Sequence, residues 1–198
     1  MQEPVRFDPS ARLATDQIEA LQRGDRRAIE AALRSVFPDL RLRLHRLLGP
    51  RHDLDDAVQD ALIEVASALR GFEGRSTLRT FAARITVRVA YRYFRRPRVE
   101  TVELAALADP DDPEARVASR QTLRRLARCL EKMSEKRRVT FVLCCVEGMP
   151  PAEVAEIEGV PSLVIRARLM QARSELARLM KGDPYVDAMT RASRGSEP

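Results

Sequence analysis

Tryptophan is absent from this 198-residue chain, and aromatic residues make up only 5% of it. A broad platform for stacking nucleobases is therefore disfavoured. There are three cysteines, Cys129, Cys144 and Cys145, the last two adjacent. That pattern builds no disulfide framework and favours a reducing compartment. Cys144 and Cys145 lie in the apolar run from Val142 to Val146 and read as buried core thiols rather than nucleophiles or zinc ligands. The two histidines are His45 and His52. His52, close to Asp53, Asp55 and Asp56, reads as an exposed loop residue rather than a metal ligand. No His-Glu-x-x-His, glycine-rich phosphate loop or Ser/His/Asp order is present, so no catalytic residue, metal or other cofactor is expected. No apolar run approaches the roughly 18 residues of a membrane span. The opening Met1-Gln-Glu-Pro-Val-Arg-Phe-Asp-Pro lacks the apolar stretch of a signal peptide. The expectation is a cytoplasmic protein that is not an enzyme and does not insert into membranes.

What the chain does have is charge, unevenly placed. The net charge is +6. Residues 1–96 hold 18 basic and 13 acidic side chains, residues 97–118 hold 2 and 6, and residues 119–198 hold 15 and 10. Two basic blocks thus flank an acidic segment. Within that segment Ala108-Asp-Pro-Asp-Asp-Pro-Glu114 combines helix-breaking prolines with self-repelling carboxylates, which reads as a flexible linker; a surface loop inside one domain is the alternative. The expected organisation is a first domain over residues 1–96, a linker over 97–118, a second domain over 119–181 and a frayed tail over 182–198.

Outside the linker the apolar residues recur at helical spacing and never alternate over a convincing strand length, so the fold expected is all-α, two small helical domains joined by the linker. Helices are expected from about Asp16 to Arg23, from Asp25 to Phe37, and again from Pro38, where a restart is expected, to Leu48. Others follow from an Asp53 or Asp55 cap to Leu69, and from a Ser76 or Thr77 cap to about Arg96. Beyond the linker the pattern gives about Glu114 to Met133, Ser134 to Val146, Pro151 to Glu158 and about Ser162 to Met180.

Three pieces carry chemistry. The first is Pro151 to Met180, where Ala155, Gly159 and Ile165 fall at the small-residue, glycine and aliphatic spacing of a helix-turn-helix. Its second helix has Arg166, Met170 and Arg173 along one outward line with Arg168 beside it. A net-positive exposed helix suits phosphates and the major groove. On these residues alone an ordinary helical hairpin with a solvated basic face fits about as well. The second piece runs from Arg75 to Arg98, with eight arginines and no acidic residue. On a helix Arg84, Arg88, Arg92 and Arg95 share an arc of about 80° beside an apolar stripe of Ala82, Ile85, Val89 and Tyr93. Like charges at that spacing repel, and nothing local in the sequence relieves them, which points to a polyanion. Tyr91, Tyr93 and Phe94 read as core before base contacts. The third piece is Asp53-Leu-Asp-Asp-Ala-Val-Gln-Asp60. Asp53 and Asp55 suit a helix start. Asp56, Gln59 and Asp60, with Glu64 beyond, form an outward acidic face that capping does not require and a basic protein partner would.

The order acidic helix, basic aromatic helix, acidic linker, helix-turn-helix resembles the extracytoplasmic-function (ECF) sigma factors of the bacterial sigma-70 family. Leu54-Asp-Asp-Ala-Val-Gln-Asp-Ala-Leu-Ile-Glu-Val is similar to the family's region 2 helix that binds the polymerase β′ coiled coil. Phe72-Glu-Gly-Arg-Ser-Thr-Leu-Arg-Thr-Phe-Ala-Ala-Arg-Ile is similar to the loop and helix that melt and read the −10 element. Val146 to Pro161, followed by Arg166-Ala-Arg-Leu-Met-Gln-Ala-Arg, is similar to region 4, which binds the −35 element. The resemblance spans about residues 16–181. Leu163-Val164 stands where Gly-Thr is usual, Ala167 where Ser is usual, and Arg88 where Asn is frequent. The resemblance implies a transcription initiation factor whose partners are core RNA polymerase, through its β′ and β subunits, promoter DNA and an anti-sigma factor. It implies core-polymerase contacts at Asp55, Asp56, Gln59 and Asp60. It implies −10 contacts at Arg75, Ser76, Arg79, Arg84, Arg88, Arg92, Arg95 and Arg96, and −35 contacts at Ser162, Arg166, Arg168, Met170 and Arg173. The alternative is a helix-turn-helix regulator that binds DNA without polymerase, which leaves the Asp56/Gln59/Asp60 face unused.

Overall fold

The computed structural model describes residues 7–96 and 125–181. The expected linker, the start of the helix expected from Glu114 and the C-terminal tail lie outside the described residues. These residues fall into two compact units. Among them there is helix and no strand, as the all-α reading expects.

In the first unit, α1 (Thr15–Gln22) ends at Gly24, whose φ of +78° suits a residue without a Cβ. Asp25 then caps α2 (Arg26–Leu48), its carboxylate accepting from the Arg27 and Ala28 amides at 2.8 and 3.0 Å. Those two backbone donors hold its carboxyl below the usual carboxylate range.

The restart expected at Pro38 does not occur: α2 is one helix that contains the proline. A proline inside a helix removes one backbone bond and costs about 3 kcal/mol. Val36, Leu40, Leu44 and Leu47 keep a single buried stripe through it, while Phe37 and Pro38 face solvent. Burying each such aliphatic side chain is worth about 1.5–3 kcal/mol, so the stripe outweighs the lost bond.

Helix α3 (Leu54–Ala68) buries Ala57, Val58, Ala61 and Val65. Asp53 occupies its cap position but makes no capping bond. Its carboxylate is instead paired with Arg51, which corrects the capping role expected of it. A 3-10 turn, Leu69–Gly71, leads to Phe72, which is buried edge-on to Phe81 with ring centroids 5.0 Å apart. Gln22 Nε2 donates to the Phe72 carbonyl at 3.0 Å, tying α1 to the start of this loop. Gly74 has φ +70°, a backbone conformation that favours glycine, and a Cβ there would also push aside the end of the Ile18 side chain. Thr77 caps α4 (Leu78–Phe94) by accepting from the Thr80 amide at 3.1 Å. Helices α2, α3 and α4 pack against one another to form the core of this unit.

Among residues 125–181, α5 is described over residues 125–132. Helix α6 (Glu135–Phe141) runs into a π-helical turn, Val142–Val146, where continuous α-helix was expected to Val146. The turn closes with the Glu147 amide donating to the Val142 carbonyl at 3.0 Å, which widens the helix by one residue. Helix α7 (Pro151–Glu158), a turn at Gly159 with φ +65° and α8 (Ser162–Leu179) form the expected helix-turn-helix. Val154, Ala155, Ile157, Ile165, Ala172 and Leu176 are buried there. Arg137 of α6 donates to Glu175 of α8 at 2.9 Å. Among the described residues no helix is long and apolar enough to cross a membrane.

Candidate nucleic-acid interface

The first candidate surface is where α3 lies beside α4. Asp55, Asp56 and Gln59 are exposed on α3, as the outward acidic face requires. Asp60, one turn on, is half-buried and already engaged. It accepts from the Tyr93 hydroxyl at 2.9 Å and lies 3.6 Å from Arg92. Glu64 does not extend the outward face. It accepts from Arg88 at 2.7 Å and from Arg92. Burial pushes its carboxyl up, but the Arg88 and Arg92 hydrogen bonds and charges win and hold it below the usual carboxylate range. Local relief of the arginine row therefore exists, contrary to expectation. It comes from a helix 24 and 28 residues earlier in the chain, where no short-range pattern displays it.

The expected α4 stripe of Ala82, Ile85, Val89 and Tyr93 is buried. Arg84, Arg88, Arg92 and Arg95 are exposed beside it. Tyr93 is the keystone at the far end. Arg96 lies over its ring at 3.9 Å from the centroid. Arg51 donates to the Tyr93 carbonyl at 2.9 Å while paired with Asp53. The Arg51 and Asp53 side chains are only 3% and 9% exposed. The loop before α4 places Arg75 in solvent, paired with Glu73 at 2.6 Å. Ser76 is half-buried, and Arg79 is half-buried and paired with Asp39 at 3.2 Å. Of the aromatics, Tyr93 is core, and Tyr91 and Phe94 are half-buried against each other.

The second candidate surface is the solvent side of α8. Ser162 opens the helix and is exposed, as are Arg166 and Arg173. Arg168 is half-exposed, and Met170 is 68% exposed. Arg166 and Arg173 have no ion-pair partner among the described residues. Glu175, the one acidic residue of α8, is turned onto Arg137 instead. Two further apolar residues on this helix are exposed, Leu163 and Val164, which the sequence marks only as a departure from the usual Gly-Thr and not as contact residues. Ile63, 57% exposed and one turn beyond Gln59 on α3, was likewise missed. Each is an apolar residue at a position that helical periodicity leaves outside the core stripe, and that offset was the available signal.

The cysteine reading needs amendment. Cys129 is buried, but Cys144 and Cys145 are only half-buried, because they lie on the π-helical turn rather than on a regular inward stripe. Burial, with Cys145 beside it, pushes the Cys144 thiol up to about 11, which suits an inert thiol.

Comparison with known proteins bears on both surfaces. Residues 33–99 match the family model of sigma-70 region 2, and residues 123–176 that of sigma-70 region 4. The chain is 33% identical over 147 residues to the RNA polymerase sigma factor CnrH of Cupriavidus metallidurans, covering 68% of this chain and 76% of that one. It is 29% identical over 177 residues to the ECF RNA polymerase sigma-E factor of Escherichia coli K12, covering 82% and 92%. Among solved structures it resembles CnrH in complex with the cytosolic domain of CnrY, with a TM-score of 0.63, 24% identity and coverage of 85% and 97%. It also resembles the sigma factor RpoE in complex with the anti-sigma factor NepR from Bartonella quintana, with a TM-score of 0.59, 23% identity and coverage of 75% and 93%. These two likenesses speak to the fold.

Proposed function

The chain belongs to the ECF sigma factors of the sigma-70 family, a promoter-directing factor for transcription initiation, and from that premise we propose how its residues divide the work. Residues 1–96 form the domain that docks on core RNA polymerase and reads the −10 element. Residues 97–118 link it to a −35-reading domain over residues 119–181, and residues 182–198 form a tail. Asp55, Asp56 and Gln59 contact the polymerase directly, and Asp60 stands at the edge of that contact. The observation that carries this division is the α3–α4 pair: one face is acidic and exposed, and the carboxylates behind it, Asp60 and Glu64, hold the arginines of the next helix. A regulator that acts on DNA alone has no use for such an arrangement, and the match of region 2 to residues 33–99 favours the polymerase-binding reading.

The chain does no covalent chemistry itself. Arg84, Arg88, Arg92, Arg95 and Arg96 follow the phosphates near the −10 element, and Arg75, Ser76 and Arg79 flank a loop that receives an unpaired base. Flipping a base costs a few kcal/mol, offset here by phosphate contacts and polymerase docking. Ser162, Arg166, Arg168, Met170 and Arg173 engage the −35 element. The protein works in the cytoplasm, where the polymerase is, and an anti-sigma factor controls it by covering these surfaces. That a sigma factor of the same fold, RpoE of Bartonella quintana, was solved with the anti-sigma factor NepR supports this reading. Run-off transcription with purified chain and core polymerase tests it. Promoter-specific transcripts are expected, and Asp56→Arg together with Gln59→Arg should abolish both transcripts and polymerase pull-down. Robust transcription by that double variant would refute the docking assignment.

A further inference from the structure

The charge on α8 lies off centre. At 100° per residue, Leu163, Ala167, Met170 and Ser174 share an arc of roughly 60°. That arc points directly away from Ile165 and Ala172, both fully buried. Leu163 is 75% exposed and Met170 68%, and Ala167 and Ser174 are exposed too. The outermost line of the helix is thus apolar or small. Arg166 and Arg173 run along one side of it, roughly 80° from its centre. Neither has an ion-pair partner among the described residues, and Glu175 is held away by Arg137.

A cationic flank without carboxylates fits an anionic partner. An apolar crown beside such a flank fits an anionic partner that also shows apolar groups. In the major groove of duplex DNA the one apolar group on a base edge is the thymine methyl. We propose that Leu163 and Met170 are specificity-determining residues that read thymine methyl groups of the −35 element, with Arg166 and Arg173 engaging phosphates or guanine edges beside them. The proposal rests on α8 being the −35 reader and adds which bases it prefers and why. Exposed single apolar residues need no explanation. Two of them one heptad apart on the crown of a DNA-facing helix, with a small residue between, do.

The test uses holoenzyme assembled from core polymerase and the full chain. A preferred −35 sequence is selected from a randomised duplex pool. Each thymine in it, on either strand, is then replaced by uracil, which removes only the methyl group. At one or two positions the wild-type chain should lose about three- to fivefold in affinity, the value of one buried methyl. Leu163→Ala should erase the uracil penalty at one position and Met170→Ala at another, a double-mutant cycle across protein and DNA. Both side chains are exposed, so both variants should melt like the wild type. Several results would overturn the proposal: a selected element without A·T pairs, a wild-type chain indifferent to uracil, or penalties that persist unchanged in both variants. Variants that lose a protein partner while keeping the uracil response would assign the crown to that partner instead. A wild-type holoenzyme indifferent to the whole −35 sequence would mark the separate failure of α8 as a base reader, and the proposal would fall with it.

Discussion

The arginine rows of α4 and α8 look alike in sequence and differ in the folded chain. On α4, Arg88 and Arg92 are held by Glu64, and Asp60 lies within reach of Arg92. On α8, Arg166 and Arg173 have no ion-pair partner among the described residues, and they flank an apolar crown. The first row is pre-positioned and partly neutralised, so a phosphate must displace or share a carboxylate. In the second, Arg166 and Arg173 have no carboxylate of the described residues to displace before they meet DNA. A count of positive charge does not predict how strongly a helix attracts a polyanion; the carboxylates that the fold brings up behind it matter as much.

The largest expected effect removes the support of one row altogether. Arg51→Ala leaves Asp53 buried without its partner and severs the bond to the Tyr93 carbonyl at the end of α4. Breaking a buried pair from one side costs about 3–5 kcal/mol. Chemical denaturation of the full chain should show that loss. Next comes Arg166→Ala, which should lower binding to a −35-containing duplex by about 1–3 kcal/mol and flatten its sequence preference. Arg92→Ala should cost less, because its gain on DNA is offset by leaving Glu64.

Glu64→Gln sharpens the contrast by making the α4 row resemble that of α8. Its cost in stability should be under about 1 kcal/mol, since the pair is partly solvated. DNA affinity at low salt should rise, and the salt dependence should steepen by about one to two counterions. The sign with pH follows from the depressed carboxyl of Glu64. Its stabilisation is complete above the ordinary unfolded value, about 4.3, and disappears as pH falls through the lower folded value. The difference in unfolding free energy between wild type and Glu64→Gln should therefore vanish in strong acid. A difference that grew on acidification would contradict the pairing. The smallest effect concerns Cys144, whose thiol is lowered by the charge of Arg173 against the larger upward push of burial. Alkylation at neutral pH should be about tenfold or more slower in the folded protein than after unfolding. Arg173→Ala should slow it further.

Much of this was legible from the residues. The helices of both units follow from 3.6-residue periodicity, and the helix-turn-helix from Pro151, Ala155, Gly159 and Ile165. Thr77 was one of two caps named for α4, and Asp25 was named for α2. What was not legible is non-local or depends on burial. The continuity of α2 through Pro38 is decided by a stripe packed on α3 and α4. Arg43 and Arg51 are buried, although arginine in a sequence reads as surface. The pairing of Glu64 with Arg88 and Arg92 joins two helices that no local spacing connects. The apolar crown of α8 is half legible, through Met170; a charge-led reading takes Leu163 as a lost polar contact rather than as an apolar one. The arginine row of α4, the outward line of α8 and the Asp56/Gln59/Asp60 face were legible from helical spacing and charge; Arg75, Ser76, Arg79 and Ser162 come from the resemblance alone.

The most direct test of two separate DNA readers is a matrix of run-off transcripts. Wild type, Arg92→Ala and Arg166→Ala holoenzymes are each given the intact promoter, one with a scrambled −10 element and one with a scrambled −35 element. Arg166→Ala should lose much of its response to the −35 scramble while staying fully sensitive to the −10 scramble, and Arg92→Ala should show the reverse bias. Equal loss of sensitivity to both elements in either variant would contradict the division of the chain into two readers.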